Sequence, residues 1–542
     1  MNSHTQEQNL NYIEFPKKFA PFLRFSPNGG IDRFVFRSKD LWYITIPDEF
    51  KDYINISQSE GGAGSSIVKV EVSKYTGDVL REGYIILNCW DEEVYIHLIQ
   101  YPAFINIKDE YFRKYLLEKF DNDGDGKLSY EEAGQITDIK INDSRITELQ
   151  GIEYLYNLIE LYLSSSVKVS FLDLRYNTAL QKVDCIRNHQ LVGLDLSQNL
   201  DLQELYCSGR NLSHMDLSHN IALQKLWCSG GNLISLDLSH NTALKTLRCG
   251  GNLISLDLSH NTALQELYCR IKNLTSLDLT YNTDLQNLSI FCSRLTSLDL
   301  SHNTALQRLV CNSNQLTNLD LSHNTALREL NCSRNELTSL DLSHNTALQK
   351  LNCYCNQLTS LDLSHNTALQ ELNCDGNQLT SLDLSHNTTL RELGCSANQL
   401  SSLDLSYNTA LQELYCSANQ LSSLDLSYNT ALQGLYCSVN QLSSLNLSNN
   451  VDLQRLDCDN NQLTSLELSN NTVLKTLECG NNRLTRLNIS KNRLINILCI
   501  TMNNILETLY VCDSFDWDNL DKSKSVKDEC TKIIKAHTHL SV

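Results

Sequence analysis

Seventeen times between Leu158 and Leu494 the chain repeats a unit of 20 to 22 residues, most often 21, as in LQKLNCYCNQLTSLDLSHNTA from Leu348. A period in this range is that of a solenoid: one unit has too little apolar surface to fold alone, and stacking on its neighbours closes the core. In Leu369-Gln-Glu-Leu-Asn-Cys374 the alternation sends Leu372 and Cys374 inward and Glu371 and Asn373 outward, the period-two pattern of a short strand. Successive coils then align as a parallel sheet. The second half of the unit, Leu382-Asp-Leu-Ser, repeats the alternation and predicts a second strand-like side. Asn377 and Asn387 recur at turns, where buried amides can serve backbone groups left unpaired.

The motif LxxLxCxxNxL followed by xxLDLSxNxx resembles the leucine-rich repeat family, in its 21-residue variety of two alternating half-repeats. The resemblance implies a right-handed solenoid of about 17 coils in a chain that is mainly β, or α+β once the N-terminal segments are counted. We divide the chain into an N-terminal extension (1–18), a β-sandwich (19–104), a calcium loop with the N-terminal cap (105–157), the solenoid (158–511), and a C-terminal cap with a helical tail (512–542).

Fifteen of the 20 cysteines occupy one inward position, from Cys185 to Cys499, where Leu163 and Ile290 stand in other coils. A slot that accepts Leu, Ile or Cys is an apolar core slot, so a ladder of buried thiols is expected. Parallel Cβ directions in such a ladder make poor disulfide geometry. Clustered His or Cys at metal-ligand spacing is missing from the sequence, and Cys512 with Cys530 is the pair to watch for a bridge.

Residues 1–104 read as β, with β-rich runs at 32–36, 42–46, 67–72, 84–87 and 94–99 separated by turn-prone Asn28-Gly-Gly and Gly61-Gly-Ala-Gly. FSPNGG, LWYITI, LREGYIIL and IHLIQ, in that order, resemble the Bacteroidetes-associated carbohydrate-binding, often N-terminal (BACON) domain, through Gly29, Gly30, Trp42, Arg81, Gly83 and Gln100. That resemblance implies glycan binding, and a spacer role is the alternative we favour for the domain. Trp42 lies mid-strand, where a tryptophan serves the core, whereas Trp90 in a hairpin turn is the better exposed aromatic.

Apolar residues Tyr111, Tyr115, Leu116 and Phe120 recur at helical spacing just before residues 121–132, DNDGDGKLSYEE. These twelve residues fit the EF-hand calcium loop, with Asp121, Asp123 and Asp125 at positions 1, 3 and 5, Gly126 at 6, the Lys127 carbonyl at 7, Ser129 at 9 and Glu132 at 12. Ca²⁺ is the expected ion. No second loop follows, which favours a structural ion in a cap over a signalling switch. The passage from Ile146 to Leu155 resembles the first repeats of internalin-type proteins, which fits a cap.

Outward strand positions form columns. Beside the cysteines stand Tyr162, Tyr206, Trp227, Arg248 and Tyr268, then Asn residues, then Tyr415 and Tyr436. Aromatic rings amid carboxylates suit a protein or a glycan ligand, although tyrosine also simply suits a half-exposed strand. On the other side thirteen aspartates from Asp173 to Asp425 share one position and eight histidines from His219 to His386 another. Eight near-identical copies on an open surface argue for structure, because a catalytic triad needs one enclosed pocket. Capping hydrogen bonds are expected for the aspartates, and no enzyme is.

Lys and Arg total 44 against 63 Asp and Glu, a net charge of −19, so nucleic acid is not an expected partner. No run is long and apolar enough to span a membrane, and MNSHTQEQNLNYIEF carries no signal-like core. The family resemblances imply instead a surface or secreted bacterial protein, which we expect to be a monomer. A Lys-rich helix is expected over residues 522–536.

Overall fold

Alternation decides the first sheets. Along Gly30–Ser38 the residues Phe34, Phe36 and Ser38 are buried while Arg33, Val35 and Arg37 are exposed. Such a strand must lay one face on a core and leave the other to water. The computed structural model describes residues 12–16, 20–165, 167–291, 294–503, 506–517, 520–521, 526–527 and 531–536. Two units compose the chain, Met1–Asn232 and Leu233–Val542, taken in turn below.

In the first unit one sheet orders β1 (Ile13–Glu14), β3 (Gly30–Ser38), β7 (Gly64–Val72) and β5 (Ile54–Ile56). A second orders β2 (Leu23–Phe25), β9 (Glu92–Gln100), β8 (Arg81–Cys89), β4 (Trp42–Thr45) and β6 (Glu60–Gly61). All pairings are antiparallel except β2 with β9. Phe34, Phe36, Val68 and Val70 from the first sheet and Trp42, Ile85, Leu87 and Ile96 from the second fill one core. This is the expected sandwich, with one amendment: Ile13 pairs with Ser38, so part of the 1–18 extension is a strand of the domain.

The cap begins with α1 (Glu110–Phe120), whose N-cap Asp109 accepts the amides of Tyr111 and Phe112. The buried face is Phe112 and Leu116, whereas Tyr111 is exposed beneath the Arg145 guanidinium, 4.3 Å from its ring centroid. The spacing of Tyr111 and Tyr115 therefore did not identify the inward face. The other Asp109 oxygen accepts the amides of Thr147 and Glu148, tying the helix start to the approach to the repeats. A single turn of helix, α2 (Tyr130–Ala133), follows the acidic loop.

The parallel ladder starts one coil earlier than Leu158. β10 (Asp138–Ile141) pairs with β11 (Glu160–Leu163), placing Ile139 beside Leu161 and Ile141 beside Leu163. Strands Lys182–Cys185, Glu204–Gly209 and Lys225–Gly230 continue it, with Cys185 beside Cys207 and Cys207 beside Cys228. In the second unit thirteen parallel strands among the described residues run from Thr246–Gly251 to Ile497–Cys499, leucine opposite leucine.

The predicted second strand-like side is confined to a few coils. Phe171–Asp173 pairs with Gly193–Asp195 in the first unit, and Arg486–Asn488 with Thr508–Cys512 in the second. Between them the Leu-Asp-Leu-Ser segments join no neighbouring strand and lead into a turn at the serine, where Asp383 Oδ1 accepts Ser385 N at 2.9 Å; the same contact, Asp195 with Ser197 N, is present in a paired coil. At the C-terminus the helix expected over 522–536 is, where described, a strand: Lys532–Ala536 pairs in parallel with Thr508–Cys512. The adjacent β-branched Ile533 and Ile534 suit a strand better than a helix.

Candidate functional site

The acidic loop is shaped by its own carboxylates. Asp121 accepts the amides of Gly124 at 2.8 Å and Gly126 at 2.9 Å, Asp123 that of Asp125, and Asp125 that of Lys127. Gly124 and Gly126 have φ of +75° and +80°, a region that favours glycine. Ser129 and Glu132 form a capping box: Ser129 Oγ accepts the Glu132 amide and Glu132 Oε2 accepts the Ser129 amide. Leu128, 1 % exposed, anchors the loop, and Ile105 N donates to its carbonyl at 2.9 Å. One carboxylate oxygen each from Asp121, Asp123 and Glu132 lie within 4.8 Å of one another. Asp125 is not part of that trio. Burial pushes the Glu132 carboxyl up, but the Ser129 and Asn122 amides and the Ser129 hydroxyl outweigh it and hold it below its usual range. The donors present, hard carboxylate oxygens around a turned backbone, are those Ca²⁺ takes.

On the strand face of the first unit Tyr206 stands in register with Trp227, which is 37 % exposed. Asp184 separates Tyr206 from Tyr162. The Tyr206 hydroxyl donates to Glu204 Oε2 at 3.1 Å, and Lys225 and Lys182 approach the same carboxylate at 2.8 and 3.4 Å. Lys225 foremost holds Glu204 below the usual carboxylate range. A cavity of about 350 Å³ opens beside this column, lined by Lys140, Glu160, Tyr162 and Lys182 among others.

Tyr268 lies in the second unit, in register with Arg248, whose guanidinium stands 4.4 Å from its ring centroid. Tyr415 and Tyr436 are adjacent rungs with rings stacked 4.6 Å apart and 6° from parallel. Beside them Arg455 reaches past Gly434 to the Glu413 carboxylate, an ion pair two coils long. A side chain at Gly434 would collide with that carboxylate. Of the aromatic positions read from the sequence, Trp227 is exposed and Tyr206, Tyr268, Tyr415 and Tyr436 are half-buried. Arg248 already stands in the column read from the sequence, whereas the basic partners Lys225 and Arg455 went unrecognised, because each is visible only once coils are in register.

All thirteen aspartates of the long column accept the amide two residues on, at 2.9 to 3.3 Å. The eight histidines each place Nδ1 3.0 to 3.1 Å from the preceding serine hydroxyl. Asp, Ser and His here form turn corners, as expected.

Of the ladder cysteines, all are buried except Cys499, which is half-buried, and each is a free thiol. Cys249 and Cys269 have their sulfurs 3.3 Å apart. Cys355, outside the ladder, is exposed with φ +52°. Cys512 is free, and its suggested partner Cys530 lies outside the described residues. In the sandwich Trp42 is 1 % exposed, a core residue. Arg81 lies over the rings of Tyr53 and Tyr75 and donates to Gln100, whose amide holds the carbonyls of Ser26 and Ser73. These two residues clamp the fold.

Neither a protein-family model nor a curated protein sequence matches the chain. Among solved structures, the functional domain of InlJ from Listeria monocytogenes, described as including a cysteine ladder, is 33 % identical, with a TM-score of 0.54 over 64 % of this chain and 72 % of that one. YopM from Yersinia enterocolitica WA-314 is 21 % identical, with a TM-score of 0.53 over 73 % of this chain and 92 % of that one. An internalin (InlF) from Listeria monocytogenes is 21 % identical over 65 % and 96 %, with a TM-score of 0.47. This chain belongs to the leucine-rich repeat family, and its solenoid is of the internalin-like kind.

Proposed function

We propose that the chain is a non-enzymatic, adhesion-type binding protein of the bacterial surface or its surroundings, which takes a protein partner on the strand face of its solenoid. The observation that carries this reading is the Tyr206–Trp227 column with the Glu204, Lys225 and Lys182 charges around it: aromatic anchors ringed by paired charges are what a specific protein interface uses. Among the described residues no helix is long and apolar enough to cross a membrane. The test is capture of host-cell proteins by the full chain, by a Tyr206→Ala/Trp227→Ala variant and by a Tyr415→Ala/Tyr436→Ala variant. A specific captured protein that is lost with one variant supports the reading. Equal capture by all three overturns it.

The 121–132 loop is read as a structural Ca²⁺ site. Asp121, Asp123 and Glu132 supply the convergent oxygens, with Asp125, the Lys127 carbonyl and Ser129 completing the set. Calcium supplies charge neutralisation there and pins α1 to α2.

A second reading, glycan capture by a BACON-like sandwich, is favoured by Trp90, 70 % exposed and stacked on Tyr12 with ring centroids 6.1 Å apart. Glycan-array binding by the full chain that disappears in Trp90→Ala supports it, and an array without signal removes it.

A further inference from the structure

A cavity of about 580 Å³ opens inside the first unit where three separated stretches meet: residues 79–82 of the sandwich, 147–154 of the cap and 170–176 of the early repeats. Its volume is that of a small-molecule or side-chain site. Its lining carries the carboxylates of Glu82, Glu148, Glu153 and Asp173 and no Lys, Arg or His.

The carboxylates are held in place by their neighbours. The buried Tyr176 hydroxyl donates to Glu82 Oε1 at 2.6 Å, Gly151 N donates to Glu153 Oε2 at 2.6 Å, and Asp173 accepts both the amide and Nε of Arg175. Arg175 beside Asp173, Lys108 acting on Glu153 and His97 acting on Glu82 bear on the cavity from outside its lining. Burial foremost pushes the Glu153 and Asp173 carboxyls up. Tyr154 and Tyr176, both buried, and Phe171, 57 % exposed, also line it, and the Arg175 guanidinium stands 4.9 Å from the Tyr176 ring centroid. Negative charge in excess of its partners, set against aromatic faces, is the arrangement that recognises a desolvated organic cation.

We propose that this cavity binds a guanidinium or ammonium group, carried either by a free small molecule or by a basic side chain of a protein partner. The cation would complete the charge balance that Arg175 leaves open, with its flat or methylene portion against Tyr154 and Phe171. This site is separate from the strand face, so its failure leaves the protein-binding reading untouched, and the reverse also holds.

The test titrates the full chain with two probes, agmatine for the free cation and the tripeptide Gly-Arg-Gly for the side chain, by calorimetry and ligand-observed magnetic resonance. Saturable binding of either at millimolar affinity or better is expected, weakened about thirtyfold in Glu153→Gln. The tighter probe identifies the source. Asp173→Asn serves as a second variant should Glu153→Gln fail to fold, with circular dichroism as the check. Absence of saturable binding for both probes overturns the proposal, and so does binding that is unchanged in a folded variant.

Discussion

The side-chain amide of Asn377 donates to the main-chain carbonyl of Cys353, 3.1 Å away and one coil back. It also serves the carbonyls of Cys374 and Asp375, while its own oxygen accepts the Leu358 amide. Asn387, at the other asparagine turn, donates to the carbonyls of Leu363 and Asn366, and its buried oxygen accepts nothing. Asn377→Ala should therefore be the more damaging substitution. Stranding buried backbone groups costs about 1–3 kcal/mol each, so we expect Asn377→Ala to exceed Asn387→Ala by at least ~1 kcal/mol. Solenoids open locally, so the measurement is amide hydrogen exchange around residues 353–390. Equal acceleration in both variants would contradict the assignment.

The proposed calcium site gives a prediction with a pH sign. Glu132 has its folded pKa depressed, so the stability it contributes is present above the unfolded value of 4.5 and is lost as pH falls through the folded one. Calcium should raise the melting temperature at pH 7 and fail to do so in acid. Glu132→Gln keeps the capping acceptor but removes a charge from the ion, and calorimetry should show calcium affinity lowered by at least about tenfold. A melting temperature indifferent to calcium at pH 7 would sink the site.

Thiol chemistry should sort the cysteines by burial. Thiolate is the reactive form, and desolvation pushes Cys332 up to about 12 and Cys374 well above its ordinary value. With a maleimide at pH 7, Cys355 should label within minutes, Cys499 slowly, and Cys353 and Cys374 only on unfolding. Peptide mapping by mass spectrometry reads this directly. Native labelling of Cys374 at the rate of Cys355 would show that the ladder opens to water.

Asp459 is pushed up to about 6, by burial first and then by the charges of Asp457 and Glu478, against the opposing Gly480 amide. A raised carboxyl contributes stability that is present below its unfolded value of 3.8 and lost as pH rises through the folded one. Asp459→Asn, which keeps an acceptor for Gly480, should be neutral at pH 4 and stabilising by about 1 kcal/mol at pH 7.5, after discounting for partial exposure. Urea unfolding at the two pH values checks it. A stabilisation equal at both would point to packing instead.

The repeat was legible because stacking demands the same residue at the same height in every coil: Leu372 must meet Leu351 and Leu393, and the sequence records that demand directly. The turn of residues 121–132 was legible for a similar reason, since one short stretch of chain holds Asp121, Asp123 and Glu132. What escaped lies where alternation alone does not decide pairing or where distant segments meet. Asp383 looked like the polar half of a strand pattern, yet its segment pairs with no neighbouring strand, although Asp173 and Asp195, with the same hold on the amide two residues on, do lie in paired strands. Ile139 and Ile141 lacked the full motif, so the first rung was assigned to the cap. The cavity around Glu82, Glu153 and Asp173 draws on three stretches with no shared period, and no local spacing announces it.

The identical register of neighbouring rungs has a consequence for how such a chain changes over generations. Excision of residues 348–368 would bring Leu330 opposite Leu372 and Asn331 opposite Asn373, the same partners each already meets in kind. Loss or gain of a 21-residue block thus poses no new packing problem to the coils on either side. Recombination between near-identical gene segments can lengthen or shorten the protein while the leucine and asparagine contacts keep their chemistry. Ion pairs between coils are what such an event would break: this excision removes the Lys350 partner of Glu371 and sets Glu329 opposite Glu371.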